Sequence, residues 1–509
     1  MHFSLNRFPP PCSLNVMPSG HNMNSERSAS MPFLSDAQII IDALDEYYRA
    51  SVSAEKPAIT QQQLEKIITD LKLASYSHEG GLSGEGLAAF MRDYLPTTTR
   101  LHHPGYMSHQ VAVPHYAGSL AALIDTFTNN VMAIYEMGPG AASIEYHVIN
   151  VLLEKIGWEP APLNLHEVPY SQAYAGGVLT HGGSLTNLTA LIAARTKLIP
   201  DVWDNGIPQD LAILAPAGSH YSIARAAGIL GIGRNAIYEL DVDETGAIIP
   251  GKLFLTYNRM RADGRRAIAL VANACSTAVG IYDPLDEIGD FCNAYDIWFH
   301  VDGAHGASAL FSEKHRMLMK GIEKASSLTW DAHKLMRTPT VCAALLVKDH
   351  RDLDAAFEQE ASYLFHDKKQ PGFDFIHRTV ECTKAGLGLK FFFVLAALGE
   401  QGIADYIDRQ YDLAQKVWDY LEALDDFICP VCPQSNIVCF RVDGDDEMQI
   451  RIRDRLNEQG RFYLSTTSFM GARYLRLSLM NPHTSMQDIQ DLVHAIRRIK
   501  EEISGSLRS

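Results

Sequence analysis

The sequence predicts an α/β protein: a large domain on a mixed, mostly parallel sheet with helices on both faces, followed by a small carboxyl-terminal α+β domain. Three observations predict this class. First, β-rich apolar runs at 177–180, 212–215, 268–272, 297–301 and 341–347 alternate with helix-like segments, the pattern of a parallel sheet buried on both faces. Second, from about residue 405 the order changes to an amphipathic helix (413–424), strands (437–441 and 474–479) and a last helix (486–503), as in a smaller α+β unit. Third, 509 residues with 47% hydrophobic and 20% charged side chains hold enough apolar surface for a large core, which excludes collagenous, wholly disordered and small disulfide-stapled classes.

Each segment follows from its residues. Residues 1–34 read as a disordered leader, with Pro9, Pro10 and Pro11, several Ser and Asn, and no continuous apolar run that would mark a secretory signal. Residues 35–100 read as a helical arm, because Ile40, Ile41 and Leu44, and Leu64, Ile67, Ile68 and Leu71, recur at three- and four-residue spacing. Residues 101–404 form the expected large domain and 405–509 the small one.

Apolar stretches such as 387–399 and 108–124 are too short or too interrupted for a membrane span of about 20 residues. Lys and Arg total 44 against 60 Asp and Glu, a formal charge of -16, which disfavours phosphate backbones and anionic membranes as partners. The expected partner is therefore a small molecule, with neither nucleic acid nor membrane. Eight scattered cysteines suit a reducing, cytoplasmic compartment. Cys429 and Cys432 have the spacing of half a zinc site or a redox pair, but no second half follows, so no metal is expected and packed thiols are the plainer reading.

Four local features carry chemistry. Gly182-Gly183-Ser184-Leu185-Thr186-Asn187 stands between an apolar run, 177–180, and a helical segment, 188–198; a small-residue turn there exposes backbone N–H groups to a phosphate, although such turns are also common without ligands. Ser219-His220-Tyr221-Ser222 precedes another helix, where His220 could stack on a flat ring or stand by while Ser219 caps. In Phe299-His300-Val301-Asp302-Gly303-Ala304-His305, an acid closes an apolar strand; strand carboxyl ends are where α/β sheets hold ligands, and a helix cap is the alternative role. In Thr329-Trp330-Asp331-Ala332-His333-Lys334, a lysine follows a semi-apolar run, where loss of its proton permits a Schiff base.

The order of these features, with the motifs Thr329-Trp330-Asp331-Ala332-His333-Lys334-Leu335-Met336 and His300-Val301-Asp302-Gly303-Ala304-His305, resembles the group II decarboxylases that depend on pyridoxal 5′-phosphate. That family includes glutamate, 2,4-diaminobutyrate, cysteine sulfinate and aromatic amino-acid decarboxylases. Its usual motifs are N-P-H-K and H-V-D-A-A-Y, and the resemblance runs from about His103 to Pro482.

It implies a fold-type I, aspartate aminotransferase-like architecture and a homodimer with shared active sites. It also implies that Lys334 forms the Schiff base, Asp302 pairs with the pyridine nitrogen and His220 stacks on the ring. Gly183, Ser184 and His333 would hold the phosphate, with Asp331 where the family often has Asn; Asn273 and Ser276 would pass beside the cofactor. Arg476 would meet a substrate carboxylate or serve a structural pair, and Ser108 and His109, with Gln110, stand where the glutamate enzymes carry F-N-Q.

The expected reaction is decarboxylation of an L-amino acid to its amine, with a small polar or acidic substrate favoured. The family's usual loop tyrosine is matched by Phe373 or Phe375, which raises decarboxylation-dependent oxidative deamination to an aldehyde as the alternative; His377 and Tyr363 are the other proton-donor candidates. An aminotransferase of the same fold is a further alternative, but only one arginine, Arg476, is placed for a carboxylate.

Overall fold

The structure, a computed structural model, describes residues 32–357 and 372–506. The leader expected over 1–34 lies outside the described residues except for its end, which is helical from Phe33. Chain contacts divide the molecule into two units, Met1–Tyr47 with Gln63–Pro96 and Tyr48–Gln62 with Thr97–Ser509.

The first unit is helical, as the apolar spacing of the arm requires. It holds most of the helix Phe33–Val52 and the helices Leu64–Asp70, Leu73–Glu79 and Glu85–Tyr94. Asp36 accepts hydrogen bonds from the Gly84 N–H at 2.9 Å and the Ser83 hydroxyl at 2.7 Å, joining the start of the first helix to the turn before the last.

The second unit contains two sheets. The strands of the large one are β1 (Gly176–Thr180), β2 (Leu211–Pro216), β3 (Ile237–Leu240), β4 (Arg266–Asn273), β5 (Trp298–Asp302), β6 (Ser327–Asp331) and β7 (Ala343–Val347). Their order is β1-β7-β6-β5-β4-β2-β3. All neighbours are parallel except β7, which runs antiparallel to both β1 and β6. Reversing twice leaves β1 aligned with β6, so β1, β4, β5 and β6 deliver their carboxyl ends to one edge. Strands β1, β2, β5, β6 and β7 are buried along their whole length, which explains their continuous apolar runs rather than alternation.

The small sheet, fully antiparallel, comprises β8 (Phe427–Ile428), β9 (Ile437–Val442), β10 (Ser465–Phe469) and β11 (Ala472–Ser478) in the order β10-β11-β9-β8. It packs with the helices Asp446–Gln459 and Met486–Ser506 around a second core that includes Val438, Phe440, Leu475, Leu477 and Ile496. Cys429 and Cys432 are free thiols, and Cys432 contacts the Gln415 side chain at 3.5 Å.

The boundary expected at residue 405 falls inside a helix, Leu387–Glu422, that serves both cores. Gly399, with φ 64°, breaks its helical geometry; a side chain there would meet the left-handed penalty that glycine avoids. This is the one helix among the described residues long and apolar enough to cross a membrane by length and composition. Its first half ends at the Gly399 kink, and at ~1.5 Å per residue is too short for an about 30 Å hydrocarbon layer; Phe391 and Val394 in it are buried in the protein.

Candidate active site

The shared strand edge opens on a cavity of ≈ 240 Å³. Its wall includes Gly183, Ser184, His220, Asp302, Asp331, His333 and Lys334, so residues up to 151 positions apart by number meet because their strands end together. Gly182, at φ 104°, turns the chain from β1 into the helix Gly183–Leu198, and an added Cβ there would find nothing within 4 Å. The backbone angle alone therefore selects glycine. The Leu185 and Thr186 N–H groups bond back to the Gly182 carbonyl, so the helix's first two N–H groups belong to Gly183 and Ser184, which line the cavity and have no carbonyl of the preceding turn to bond. Such groups, with the helix dipole behind them, favour an anion. A Cβ on Gly183 would come within 2.9 Å of both Asp331 carboxylate oxygens, so glycine is needed for that approach as well.

Opposite this turn, Lys334 Nζ lies 3.2 Å from Asp331 Oδ2, and His333 Nε2 lies 3.6 Å from the same oxygen. Asp331 is 2% exposed and its Oδ1 has no hydrogen-bond partner. An orphaned carboxylate oxygen in a buried site marks a place where a donor is wanted. Asp302 presents its carboxylate at the end of β5, with Oδ2 accepting from Asn187 Nδ2 at 2.8 Å and Oδ1 from the Ala304 N–H at 3.2 Å. His220 Nδ1 faces Ser222, accepting from its N–H at 3.3 Å and meeting its hydroxyl at 2.8 Å. Burial, followed by the Lys334 and Arg225 charges, outweighs Asp302 and holds the His220 pKa below that of a free imidazole. The ring is therefore neutral at pH 7, with its proton on Nε2.

A lysine amine, a strand-end carboxylate, a neutral imidazole and a helix amino terminus in one cavity fit a flat, anionic, carbonyl-bearing cofactor. The model of the pyridoxal-dependent decarboxylase conserved domain matches residues 90–443. The chain belongs to that family.

Among the relatives it is similar to, the acidic amino acid decarboxylase GADL1 of Homo sapiens is 28% identical over 456 residues, covering 86% of this chain and 84% of that one. In fold, it is similar to mouse CSAD, with a TM-score of 0.83 at 24% identity over 92% of this chain and 98% of that one. It is likewise similar to Oryza sativa TDC solved with PLP and tryptamine, with a TM-score of 0.82 at 20% identity over 96% of this chain and 100% of that one. The protein is a fold-type I, pyridoxal 5′-phosphate-dependent amino-acid decarboxylase, a carboxy-lyase.

For this decarboxylase, several residues marked in the sequence lie away from the cavity wall. Asn273 and Ser276 build the turn behind it: the Asn273 N–H donates to Asp283 at 2.6 Å, and Ser276 Oγ accepts from the Ile281 N–H at 3.2 Å. Cys275 and Thr277, each one position from Ser276, line the cavity instead, in a turn closed by the Gly280 N–H on the Ser276 carbonyl and the Ser276 N–H on the Ile281 carbonyl. Ser108 is fully buried, and its carbonyl accepts from Arg476 at 3.3 Å. His109 is exposed and bonds the Tyr463 hydroxyl at 3.0 Å. Arg476 reaches the wall only through Thr277, whose carbonyl it meets at 2.8 Å.

Phe373 and Phe375 pack on each other at 4.7 Å, with Phe375 1% exposed and the Lys384 ammonium 5.1 Å from its ring centre. Neither lines this cavity of the single chain; the aldehyde-forming alternative is disfavoured instead by the family and by the decarboxylase relatives. His377, on the short turn with Phe375, is also absent from the wall. Tyr363 lies outside the described residues.

Besides Cys275 and Thr277, the wall residues Asn187, His181 and His305 escaped sequence reasoning. Asn187 was read only as part of a glycine turn. His181 pairs with Glu381 at 2.7 Å, two hundred positions away. His305 donates from Nε2 to Asn436 Oδ1 at 2.6 Å and keeps an unpartnered Nδ1; the available signal was a histidine where the family motif has tyrosine.

Burial, then the nearby Lys334 charge, depresses the His305 pKa to about 3. In the unfolded chain the ring takes up a proton near pH 6.5, so acidification between these values pulls the equilibrium toward unfolding. His305→Gln is accordingly expected to flatten the fall of stability between pH 6 and 4 by up to about 1.4 kcal/mol per pH unit. Melting curves across that range check it; an unchanged slope contradicts it.

Proposed function

We propose that the protein decarboxylates an acidic L-amino acid, with Arg476 supplying the field that selects it. The observation that carries this reading is the state of that guanidinium. It is 6% exposed, donates to the carbonyls of Ala278, Ser108 and Thr277, and meets no carboxylate within ion-pair distance among the described residues. A buried cation without a counter-ion is costly, and an anionic substrate group would compensate it across the thin wall at Thr277. The relation to an acidic amino acid decarboxylase supports the same substrate class.

The bound cofactor supplies an electron sink for the bond to the departing carboxylate. Around it, Lys334 Nζ would provide the amine that holds the cofactor, with Asp331 Oδ2, 3.2 Å away, orienting that amine. Asp302 would keep a proton at the ring nitrogen, His220 would offer a neutral ring to the cofactor face, and the Gly183 and Ser184 N–H groups would hold the phosphate.

Carbon dioxide release from L-aspartate, L-glutamate and cysteine sulfinate, measured beside L-2,4-diaminobutyrate, L-tyrosine and L-tryptophan, tests the assignment. The acidic set is expected to exceed the others by at least about tenfold in kcat/KM, roughly the 1–3 kcal/mol of one charge-assisted contact. Preference for a cationic or aromatic substrate overturns it.

The enzyme is further read as a homodimer. The helix Tyr116–Thr128 exposes Tyr116, Leu120, Leu123, Ile124 and Phe127 along one stripe, an apolar surface of the kind that marks an interface. Sedimentation is expected to give a dimer, and Leu123→Lys to weaken it; a monomer with full activity contradicts this reading.

A further inference from the structure

Asn187, the fifth residue of the helix Gly183–Leu198, lies against β5 and β6, and its amide can be oriented from first principles. Its Nδ2 lies 2.8 Å from Asp302 Oδ2 and 2.9 Å from Ser222 Oγ. Its Oδ1 lies 2.6 Å from Thr329 Oγ1 and 3.0 Å from His300 Nε2. An ionised carboxylate only accepts, so the NH₂ group must face Asp302. The amide oxygen then faces His300, which must carry its proton on Nε2.

His300 is fully buried, and burial depresses its pKa to about 4, so the ring is neutral. Its Nδ1 is therefore a lone pair that takes the Ser327 hydroxyl proton at 2.8 Å, while Ser327 Oγ accepts from Trp298 Nε1 at 2.8 Å. Every donor in this line has one acceptor and the polarity runs one way, from Trp298 through Ser327 and His300 to Asn187 and Asp302. The second Nδ2 hydrogen satisfies Ser222 Oγ, whose own proton is then free for His220 Nδ1.

We propose that Asn187 is a positioning residue that couples the acid at the cofactor ring nitrogen to the stacking imidazole: one amide aims Asp302 Oδ2 and, through Ser222, seats His220. The inference rests on the cofactor reading above. Because Oδ2 is pinned by Asn187 and Oδ1 by the Ala304 N–H, the carboxylate plane cannot rotate without breaking a buried hydrogen bond, and its remaining lone pairs keep one direction toward the cavity. The line behind Asn187 prevents the amide from flipping, since a flip would set its oxygen against Asp302 and its NH₂ against the His300 donor. Asn187 lies five residues past the Gly182 N-cap and so caps nothing; its side chain instead bonds Asp302, His300 and Thr329 of the sheet and Ser222 of the helix Ser222–Ile229.

Two measurements test this. In the cofactor-free protein, ¹⁵N NMR of the histidine rings is expected to show His300 as the Nε2–H tautomer; an Nδ1–H tautomer overturns the proposal without any variant. In the loaded enzyme, ¹⁵N-labelled pyridoxal 5′-phosphate is expected to hold its ring proton through pH 9 in the wild type. In Asn187→Leu it is expected to lose that proton about 1 to 2 pH units lower, the weight of one hydrogen bond to a charged group.

Asn187→Asp, nearly the same shape, should melt lower than Asn187→Leu because it sets a second buried carboxylate against Asp302. If both variants melt lower but leave the ring-nitrogen titration unmoved, Asn187 only packs and the proposal fails. A wild type that binds no cofactor defeats the functional reading instead, and the His300 tautomer still decides the orientation of the amide.

Discussion

Lys334→Ala is expected to remove the visible absorbance of the bound cofactor and to lower carbon dioxide release by about 10⁴-fold or more, the usual scale for losing a covalent participant. Among the described residues Lys334 supplies the one lysine amine on the cavity wall, and no other described wall residue can replace its amine. The alanine variant also leaves Asp331, 2% exposed, without the cation now 3.2 Å away, so some loss of stability accompanies it. Lys334→Arg separates the two effects. Its guanidinium keeps a positive charge beside Asp331 but stays protonated and cannot add to a carbonyl. The arginine variant should therefore melt closer to the wild type than the alanine variant while being equally inactive; measurable turnover in either would remove Lys334 from the reaction.

Lys384→Met is expected to destabilise the fold by about 3–5 kcal/mol, the cost of orphaning one partner of a buried ion pair. Lys384 Nζ contacts both oxygens of Glu145, and the two side chains are 1% and 0% exposed. Glu145, on the helix Pro139–Ile156, also accepts from the Leu179 N–H of β1 at 2.9 Å. The pair thus ties that helix and the start of Leu387–Glu422 to the strand that feeds the glycine turn.

Burial raises the Glu145 pKa and Lys384 opposes the rise. Without the lysine, the folded state would hold the Glu145 proton to higher pH than the unfolded chain, so the destabilisation should be smallest in acid and grow as pH rises. Replacing Glu145 by Gln together with Lys384→Met should restore part of the loss. Thermal melting at several pH values distinguishes this from a cavity effect, which would be independent of pH.

Legibility in the sequence followed the range of the interactions. Asp302 and Lys334 were readable because each closes or follows an apolar run whose strand is buried whole, and strand ends in such a sheet meet at one edge. Asn273 and Ser276 were marked as part of a segment that passes beside the cofactor, and that segment does reach the cavity, but it is Cys275 and Thr277 that line it, a choice made by the turn that returns the chain to Ile281 and not by residue spacing. Arg476 was found by its motif, but its standing behind Thr277 depends on how β11 of the small sheet meets the 276–281 turn.

The sequence by itself determined the class of fold, the alternation that builds the sheet, the family and the candidate lysine that the structure places on the cavity wall, since these reside in local pattern and motif order. Tertiary structure alone decided which polar atoms share a proton. Asn187 finds its partners 35, 113, 115 and 142 positions away, and His181 finds Glu381 at 200. A buried polar group must be satisfied by whatever the fold brings within about 3 Å, and that distance has no trace in residue spacing.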